Sequence, residues 1–352
     1  MIKIAVRCPN WVGDTIMATP VLALLRDSFT GARITAIGRP SARAVLENNP
    51  HIDSLWIVRD KSLGDMLKLV SRIRRERFDL AALLPNSFRS ALEFALGRTP
   101  KRIGYAMDRR SLLLTNPVEV TEFHCQCHQV EYYMNVLADL DACNVEQAER
   151  RLILRPTEEA RREIGDLLRR EGIHENRPIA AISPGAAFGS SKCWLPERFA
   201  QIADYLGQRY LAQTLIVGAP DEEPLCREIA QLARQPVFAI GSKVSLGGLI
   251  ALCEKLDMMV TNDCGAMHVA AAMRVPLVAI FGPTDPRRTR PYDPEASVVE
   301  DIKGCGCEIA PCYKKICPID HRCMKAVSVP DVEEAIERQM RRAARRAGGR
   351  TE

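Results

Sequence analysis

A single carboxylate stands in a glycine-containing turn near the start of the sequence. Asp14 closes the segment 7–14, which follows a β-like run over residues 2–6 and precedes an apolar, helix-like pattern over residues 15–25. A strand-to-helix turn places its side chains at the carboxyl end of a strand, where α/β sheets bind ligands. Asp14 is therefore a candidate general base, although a carboxylate at this position can also simply cap the helix.

A second candidate segment, residues 183–192, combines two glycines, the adjacent hydroxyls of Ser190 and Ser191, and a lysine. Glycines let backbone N–H groups approach an anion, Ser190 and Ser191 can donate hydrogen bonds, and Lys192 adds a positive charge. The spacing is not that of a Walker A loop. The segment predicts a diphosphate site, with an ordinary surface loop as the alternative.

A third candidate segment, residues 261–268, closes one strand pattern and opens a helix pattern. The first N–H groups of a helix attract phosphate. Asp263 would repel phosphate, so we expect it to bind sugar hydroxyls, whereas His268 is either a ligand contact or a core histidine. The turn at residues 282–286 follows the next strand pattern. All these segments end strands, so they can converge on one site that holds an activated nucleotide donor.

Short apolar runs alternate with helical patterns through most of the chain, which predicts two α/β domains with parallel sheets. Strands are predicted at residues 2–6, 33–38, 54–58, 80–85, 178–183, 214–218, 237–240, 258–262 and 277–282. Helices are predicted at residues 15–28, 41–48, 62–77, 89–97, 158–171, 196–208, 221–234, 246–255, 266–273 and 329–347. Residues 152–177 are interpreted as the connection between two domains that face each other across a cleft.

Composition narrows the class of protein. The chain has 352 residues and a formal net charge of +5, which suits about two domains and does not by itself indicate nucleic-acid binding. No apolar stretch approaches the length needed to span a bilayer, and the first residues lack a signal-peptide layout. We therefore expect a cytoplasmic protein.

Two groups of basic residues could lie against the anionic surface of a membrane. One group is Arg72, Arg74, Arg75 and Arg77. The other is Arg338, Arg341, Arg342, Arg345, Arg346 and Arg350. The alternative for both is a solvated helix face, with a frayed tail at the carboxyl end.

Cysteine is abundant, with 13 residues, and part of it is clustered near the carboxyl end. The cluster consists of Cys305, Cys307, Cys312, Cys317 and Cys323, together with His321. This spacing suggests a metal site more than a disulfide framework, although it lacks a clean pair of CxxC motifs. A structural metal ion at this cluster is therefore a hypothesis.

Four blocks of the sequence resemble the lipopolysaccharide heptosyltransferases of glycosyltransferase family 9, and heptosyltransferase II more than heptosyltransferase I. The blocks are residues 9–14, 84–91, 184–194 and 261–268. The resemblance implies a GT-B fold of two Rossmann-like domains: an acceptor-binding domain over residues 1–155 and an ADP-sugar-binding domain over residues 156–330. A helix and a basic tail follow over residues 331–352. One departure is Lys192-Cys193-Trp194-Leu195-Pro196, where Lys-x-Trp-Pro is expected.

The resemblance also implies an inverting transfer of L-glycero-D-manno-heptose from ADP-heptose to the first heptose of the inner core. Asp14 matches the base and Lys192 the lysine that contacts the ADP phosphates, and no metal or other cofactor is required. The implied donor contacts are Gly185, Ser190, Ser191, Lys192, Asp263, Gly265, Ala266, Met267 and His268. The implied contacts of the acceptor, an inner core of Kdo and heptose on lipid A, are Asn86, Ser87, Arg89, Arg109 and Arg110. The resemblance also implies that the protein binds peripherally to the cytoplasmic face of the inner membrane.

Three alternatives remain at this point. The chain could be another family 9 transferase, such as heptosyltransferase I or III. It could be a nucleotide-binding or metal-sensing module built around the cysteine cluster. It could also be a sugar-nucleotide epimerase, which would release an altered sugar without an acceptor.

Overall fold

The computed structural model describes residues 1–59 and 62–348. The chain divides into two compact units, Met1–Arg155 and Pro156–Glu352. Each unit contains a six-stranded sheet in which every paired strand is parallel. Parallel strands need crossover connections, which accounts for the helices that separate them.

The sheet of the first unit has the strand order β3-β2-β1-β4-β5-β6. Its strands are β1 Lys3–Arg7, β2 Arg33–Gly38, β3 Ser54–Ile57, β4 Leu80–Leu83, β5 Lys101–Tyr105 and β6 Asn116–Val118. Its helices are α1 Val12–Met17, α2 Thr19–Ser28, α3 Arg43–Leu46, α4 Leu63–Glu76, α5 Phe88–Leu96, α6 Glu122–Gln126 and α7 Gln129–Asn135. The central strands β1 and β4 are almost wholly buried, as parallel strands covered on both faces must be.

Local chemistry sets the ends of the long helix α4. Ser62 and Asp65 form a capping box: the Ser62 hydroxyl accepts from the Asp65 N–H at 3.1 Å, and the Asp65 carboxylate accepts from the Ser62 N–H at 3.1 Å. Arg77 ends the helix in the left-handed conformation, with φ of 57°. Met66, Leu69 and other residues at helical spacing bury one face and leave the opposite face to solvent.

The sheet of the second unit has the strand order β12-β11-β10-β7-β8-β9. Its strands are β7 Ile179–Ser183, β8 Gln213–Ile216, β9 Val237–Ala239, β10 Met258–Asn262, β11 Leu277–Ile280 and β12 Ser297–Val299. Its helices are α8 Glu158–Arg170, α9 Pro196–Tyr210, α10 Glu223–Leu232, α11 Leu246–Leu252, α12 Gly265–Ala272, α13 Pro286–Thr289, α14 Arg322–Ala326 and α15 Val329–Gly348.

Helix α8 confirms the helix predicted at residues 158–171 and belongs to the second unit, so the connection between the domains is shorter than residues 152–177. Arg161 on α8 forms an ion pair with Glu254, just beyond α11, with Nε and Oε2 2.8 Å apart. The buried side chains of Ile164 and Leu168 lie on the apolar face of the helix. An amphipathic helix needs a surface on which to bury that face, and α8 finds it within the second unit.

The predicted closing helix is confirmed as α15, which packs within the second unit. Gln339 donates to the Ser297 hydroxyl at 2.8 Å, and Tyr205 donates to Glu337 at 3.1 Å. Arg350 of the predicted basic tail lies outside the described residues. Among the helices that the structure describes, none combines the length and the apolar character that crossing a membrane would require.

Candidate active site

Asp14 lies in the first turn of α1, directly beyond the carboxyl end of the buried strand β1. Its side chain is half-buried, and its Oδ1 accepts a hydrogen bond from the Tyr133 hydroxyl at 2.9 Å. The helix cap residue is Trp11, which makes no side-chain capping bond. Asp14 is thus held in a fixed direction by another element, as a general base must be.

Helix α7 positions Asp14 and also Asn86, which belongs to the loop after β4. The Asn86 amide donates to the Tyr132 hydroxyl at 2.8 Å, and Tyr132 is the neighbour of Tyr133 in the sequence. Tyr132 is itself fixed, because its ring stacks on Tyr105 with centroids 4.3 Å apart. One short helix therefore sets the direction of two polar side chains at the same edge of the sheet.

Arg110 is fully buried, so it does not provide the acceptor contact that the resemblance implied. Its guanidinium donates to the carbonyl of Tyr105 at 2.8 Å, to the carbonyl of Pro85, and to the Asn86 side chain at 3.3 Å. Burial lowers the pKa of Arg110 to about 10. Arg110 therefore fixes the loop after β4 from inside the domain. Its effect on a ligand is indirect, because it positions Asn86 in that loop.

The remaining acceptor candidates lie near the start of α5. Ser87 is exposed and caps α5, accepting from the Ser90 N–H at 3.3 Å. Arg89 is one-third exposed and pairs with the buried Glu93, with Nε and Oε1 3.2 Å apart. Arg109 is exposed and has a φ of 55°. Ser87, Arg89 and Arg109 are therefore accessible to a ligand, whereas Arg110 is not.

In the second unit, Lys192 and Asp263 form a nearly buried ion pair. The Lys192 Nζ lies 2.5 Å from the Asp263 Oδ2, and the side chains are 12% and 5% exposed. The same oxygen accepts from the Thr284 hydroxyl at 2.7 Å, and the Lys192 ammonium lies 5.0 Å from the centre of the Phe188 ring. An ammonium has three N–H donors, so Lys192 can hold Asp263 and still donate to a diphosphate.

The loop that carries Lys192 is closed by the side chain of Asn262, which is fully buried. Its amide nitrogen donates to the Pro184 carbonyl at 2.6 Å, and its amide oxygen accepts from the Trp194 N–H at 3.2 Å. One side chain thus joins the start of the loop to the residue two positions after Lys192. Helix α9 begins at Pro196, so the extra residue before this proline leaves Lys192 at the site.

A segment from the cysteine-rich region, residues 313–315, also packs against this loop; we call it the strap. The Ser191 N–H donates to the Lys315 carbonyl at 3.1 Å, and the Ser191 hydroxyl donates to the Lys314 carbonyl. Ser191 is buried, and its donors are used within the protein. Ser191 was predicted to contact the nucleotide-sugar donor, but in the structure it fixes the loop instead. Ser190, in contrast, is exposed.

The strap binds the next loop as well. The Tyr313 N–H donates to the Pro283 carbonyl at 3.0 Å, and the Asp285 N–H donates to the Tyr313 hydroxyl at 3.3 Å. Thr284, which holds Asp263, lies between these two contacts in the sequence. The strap therefore links the lysine loop to the turn that fixes the aspartate.

Helix α12 begins immediately after the loop that carries Asp263. Gly265 and Ala266 are half-buried, whereas Met267 and His268 are buried within the domain. The backbone N–H groups of a first helical turn have no partners inside the helix. Any ligand contact at this helix therefore comes from the main chain near Gly265 and Ala266, because the His268 ring lies in the core.

Glu222 is a carboxylate at the lysine loop that the sequence patterns did not indicate. A Cβ atom placed on the buried Gly185 would lie 2.0 Å from the Glu222 carboxyl group, so a larger residue there would require the Glu222 side chain to move. Burial raises the pKa of Glu222 above its ordinary value. A carboxylate in this position can accept hydrogen bonds from hydroxyl groups of a ligand.

Comparison with known proteins identifies the family. The profile of glycosyltransferase family 9 (heptosyltransferase) matches residues 66–321, well over half of the chain. The chain belongs to glycosyltransferase family 9. The enzyme class predicted from the sequence, a glycosyltransferase, is confirmed.

Individual relatives agree with this assignment. Lipopolysaccharide heptosyltransferase 2 of Escherichia coli strain K12 is 30% identical, with coverage of 86% of this chain and 89% of its own length. Lipooligosaccharide heptosyltransferase 2 of Campylobacter jejuni serotype O:2 (strain NCTC 11168) is 28% identical, with coverage of 94% and 96%. The solved structure of E. coli ADP-heptose LPS heptosyltransferase II matches with a TM-score of 0.82 at 26% identity, over 97% of this chain and 99% of that one. The predicted GT-B class, with two parallel-sheet α/β domains, is confirmed.

The structure does not support the metal site predicted at the cysteine cluster. Among the described residues, no three histidine, cysteine, aspartate or glutamate side chains are arranged to hold a metal ion. Cys317 accepts from the His321 N–H at 3.3 Å, and Cys323 is buried beside Gly282. The structure thus gives no support to the metal hypothesis for Cys305, Cys307, Cys312, Cys317, His321 and Cys323. It shows instead that this region supplies the strap.

Proposed function

We propose that this family 9 transferase moves L-glycero-D-manno-heptose from ADP-heptose to the first heptose of the lipopolysaccharide inner core. The names of the relatives support the proposal, since both sequences are heptosyltransferase 2 enzymes and the solved structure is an ADP-heptose transferase. We assign the acceptor to the first unit and the nucleotide sugar to the second. The observation that carries the proposal is the fixed Asp14 carboxylate at the end of β1.

The acceptor hydroxyl is the nucleophile in this reaction. Its oxygen forms a bond to the anomeric carbon, its proton passes to Asp14, and the bond from the anomeric carbon to the β-phosphate oxygen breaks. The electron pair of that bond leaves with ADP, and a single displacement inverts the anomeric centre. General-base assistance of this kind is worth about 10²- to 10⁴-fold in rate.

Lys192 would stabilise the departing diphosphate, together with the N–H groups at the start of α12. The charge on the leaving group grows in the transition state, so donors already aimed at it contribute most there. The Asp263 carboxylate, itself held by the Thr284 hydroxyl, fixes the direction of the lysine. With these groups meeting the charge, the enzyme would need ADP-heptose as donor substrate and no added metal or other cofactor.

On the acceptor side, Asn86 and Ser87 would contact sugar hydroxyls. The guanidinium groups of Arg89 and Arg109 would meet the carboxylates of Kdo or phosphates of the inner core, a pairing whose geometry suits guanidinium. We place the reaction in the cytoplasm, because the donor is a nucleotide sugar.

The test is release of ADP from ADP-heptose, measured with and without an acceptor that bears a single inner-core heptose. The proposal expects ADP only when that acceptor is present. Turnover with a heptose-free Kdo acceptor alone would move the assignment to heptosyltransferase I. Free altered sugar without any acceptor would indicate an epimerase, and no turnover with any of them would contradict the transferase proposal.

A further inference from the structure

Large apolar side chains are exposed around the acceptor candidates of the first unit. They come from the start of α4, the start of α5 and the segment after β5. We call them the apolar rim: Leu63, Leu67, Phe88, Met107 and Leu112. Leu63 is 67% exposed and Leu112 is 94% exposed. Single exposed apolar residues are ordinary on a protein surface, but several of them near one site indicate a surface that binds a protein or a membrane.

Hydrogen bonds join the segments that carry the rim. Arg89 on α5 donates to the Ser62 carbonyl at 2.9 Å, next to the start of α4. The Phe88 N–H donates to the Asp108 carboxylate at 2.8 Å. The first bond links the segments that carry Leu63 and Phe88, and the second links the segments that carry Phe88 and Met107. The segments of Leu63, Phe88 and Met107 are therefore fixed relative to one another beside Ser87 and Arg109. Leu67 lies one helical turn after Leu63, and Leu112 lies three residues after Arg109.

The solvent side of α4 is strongly basic. Its exposed basic residues are Lys68, Arg72, Arg74 and Arg75, and the exposed Arg77 caps the helix. The acidic residues of the helix are engaged locally: Asp65 completes the capping box, and Glu76 pairs with Lys3, with Nζ and Oε1 2.9 Å apart. An apolar rim beside a helix face with five exposed basic residues fits a partner that is both anionic and apolar.

Helix α15 contrasts with α4. Arg338 pairs with Glu334 at 2.6 Å, and Arg341 pairs with Glu337 at 3.2 Å, each one helical turn apart. These pairs offset positive charge along the helix, and α15 shows no large exposed apolar side chain among residues 329–343. The basic cluster of α4 is therefore the better match to an anionic surface.

We propose that the apolar rim and the basic side of α4 form the docking surface of this enzyme for an anionic lipid bilayer. The basic side chains would meet lipid phosphates, and the leucines would enter the boundary between headgroups and acyl chains. This inference rests on the proposed function, in which the acceptor is anchored in a membrane by lipid A. Docking by this surface would place Asn86, Ser87 and Arg109 at the height of the sugars that extend from that membrane.

Vesicle flotation with the full-length enzyme tests the proposal. The probes are vesicles of phosphatidylglycerol with phosphatidylethanolamine, and vesicles of phosphatidylcholine alone. The variant Leu63→Ser/Leu67→Ser/Leu112→Ser removes three exposed side chains without opening a cavity. The matched control is Leu232→Ser, which changes a 47% exposed leucine at the end of α10 in the second unit. A second variant, Lys68→Gln/Arg75→Gln, removes charge without touching the rim.

We expect the wild type to bind the anionic vesicles and to remain bound in part at high salt. The triple leucine variant should partition at least about tenfold more weakly, since burying an exposed leucine is worth about a factor of ten. The charge variant should lose its preference for anionic vesicles, and the Leu232→Ser control should behave as wild type. Wild-type-like binding by the triple variant, or no binding by the wild type, would overturn the proposal.

A parallel transfer assay separates this inference from the proposed function. The triple variant should turn over a short, water-soluble heptose–Kdo acceptor at the wild-type rate and lose at least about tenfold with the acceptor embedded in anionic vesicles. Equal losses with both acceptors would contradict docking by this surface. Wild-type transfer to the soluble acceptor without any vesicle binding would refute the docking surface and leave the transferase proposal intact.

Discussion

Replacement of Gly189 by alanine tests whether the strap positions Lys192. Gly189 has φ of 155° and ψ of 162°, and a Cβ atom there would lie 2.1 Å from the carbonyl oxygen of Lys315. Because Cβ atoms essentially never approach another heavy atom within 3.0 Å, the loop and the strap must separate by about 1 Å. That movement would break the hydrogen bond between the Ser191 N–H and Lys315, which is already 3.1 Å long.

The expected cost has two parts. A backbone region that is essentially restricted to glycine costs an alanine about 1–3 kcal/mol in folding stability, and the lost hydrogen bond adds about 1 kcal/mol. A displacement of about 1 Å next to Lys192 should lower kcat for heptose transfer about 100-fold, because misplacement of a catalytic group by that distance has such an effect. The loss in rate should therefore exceed what the loss in stability explains.

Gly172→Ala is the matched control for Gly189→Ala. Gly172 also has a positive φ, of 71°, but a Cβ atom there meets no atom within 4 Å. We expect Gly172→Ala to cost about 1–2 kcal/mol of stability and to leave kcat unchanged. Urea denaturation and initial rates of ADP release at saturating substrates measure both quantities. A Gly189→Ala enzyme with the kcat of Gly172→Ala would refute the positioning role of the strap.

Three further predictions concern individual side chains. Arg110→Met should lower the unfolding free energy by about 3–5 kcal/mol in urea denaturation, because several buried carbonyls lose their donor; a loss below about 1 kcal/mol would contradict the structural role. Tyr133→Phe should lower kcat about fivefold and the unfolding free energy by no more than about 1 kcal/mol, since Asp14 loses one hydrogen bond; an unchanged kcat would show that the contact does not orient the base. Burial raises the pKa of Glu222, so its folding contribution is largest below the ordinary carboxyl range and is lost as pH rises through the raised pKa. The difference in unfolding free energy between Glu222→Gln and wild type should therefore favour the variant more at pH 7.5 than at pH 4. A difference that favours the variant less at pH 7.5 than at pH 4 would contradict this assignment.

The sequence predicts most of the fold because the strands are strongly apolar. The predictions at residues 33–38 and 258–262 agree with β2 and β10 to the residue. The predicted elements omit β5 and β6, since Lys101–Tyr105 opens with two charged residues and Asn116–Val118 contains a proline. Strand β6 is at the edge of the sheet and β5 is its neighbour, and both are defined by the strands beside them more than by their own residues. Helix α8 was predicted as a helix but placed in the connection between the domains, because its polar face dominates its composition.

The candidate site, like the fold, could be predicted from the sequence only in part. The turn after β1 could be recognised locally, since it joins a strand to a helix within a few residues, and the longer loop after β7 could be recognised by its glycines, serines and lysine. The pairing of Lys192 with Asp263 could not be predicted, because the two residues are 71 positions apart. The burial of Arg110 was also missed, since an arginine beside a loop is usually solvated. The adjacent tyrosines at positions 132 and 133 were the available signal for the helix that orients Asp14 and Asn86.

The central claim is that Asp14 is the base of a heptosyl transfer to an acceptor. The most direct measurement compares acceptor-dependent ADP release from ADP-heptose by wild type and by Asp14→Asn, with folding of both checked by circular dichroism. The account predicts release by the wild type only when the heptose-bearing acceptor is present, and a loss of about 10²- to 10⁴-fold in Asp14→Asn. Turnover by Asp14→Asn within about twofold of wild type would contradict it.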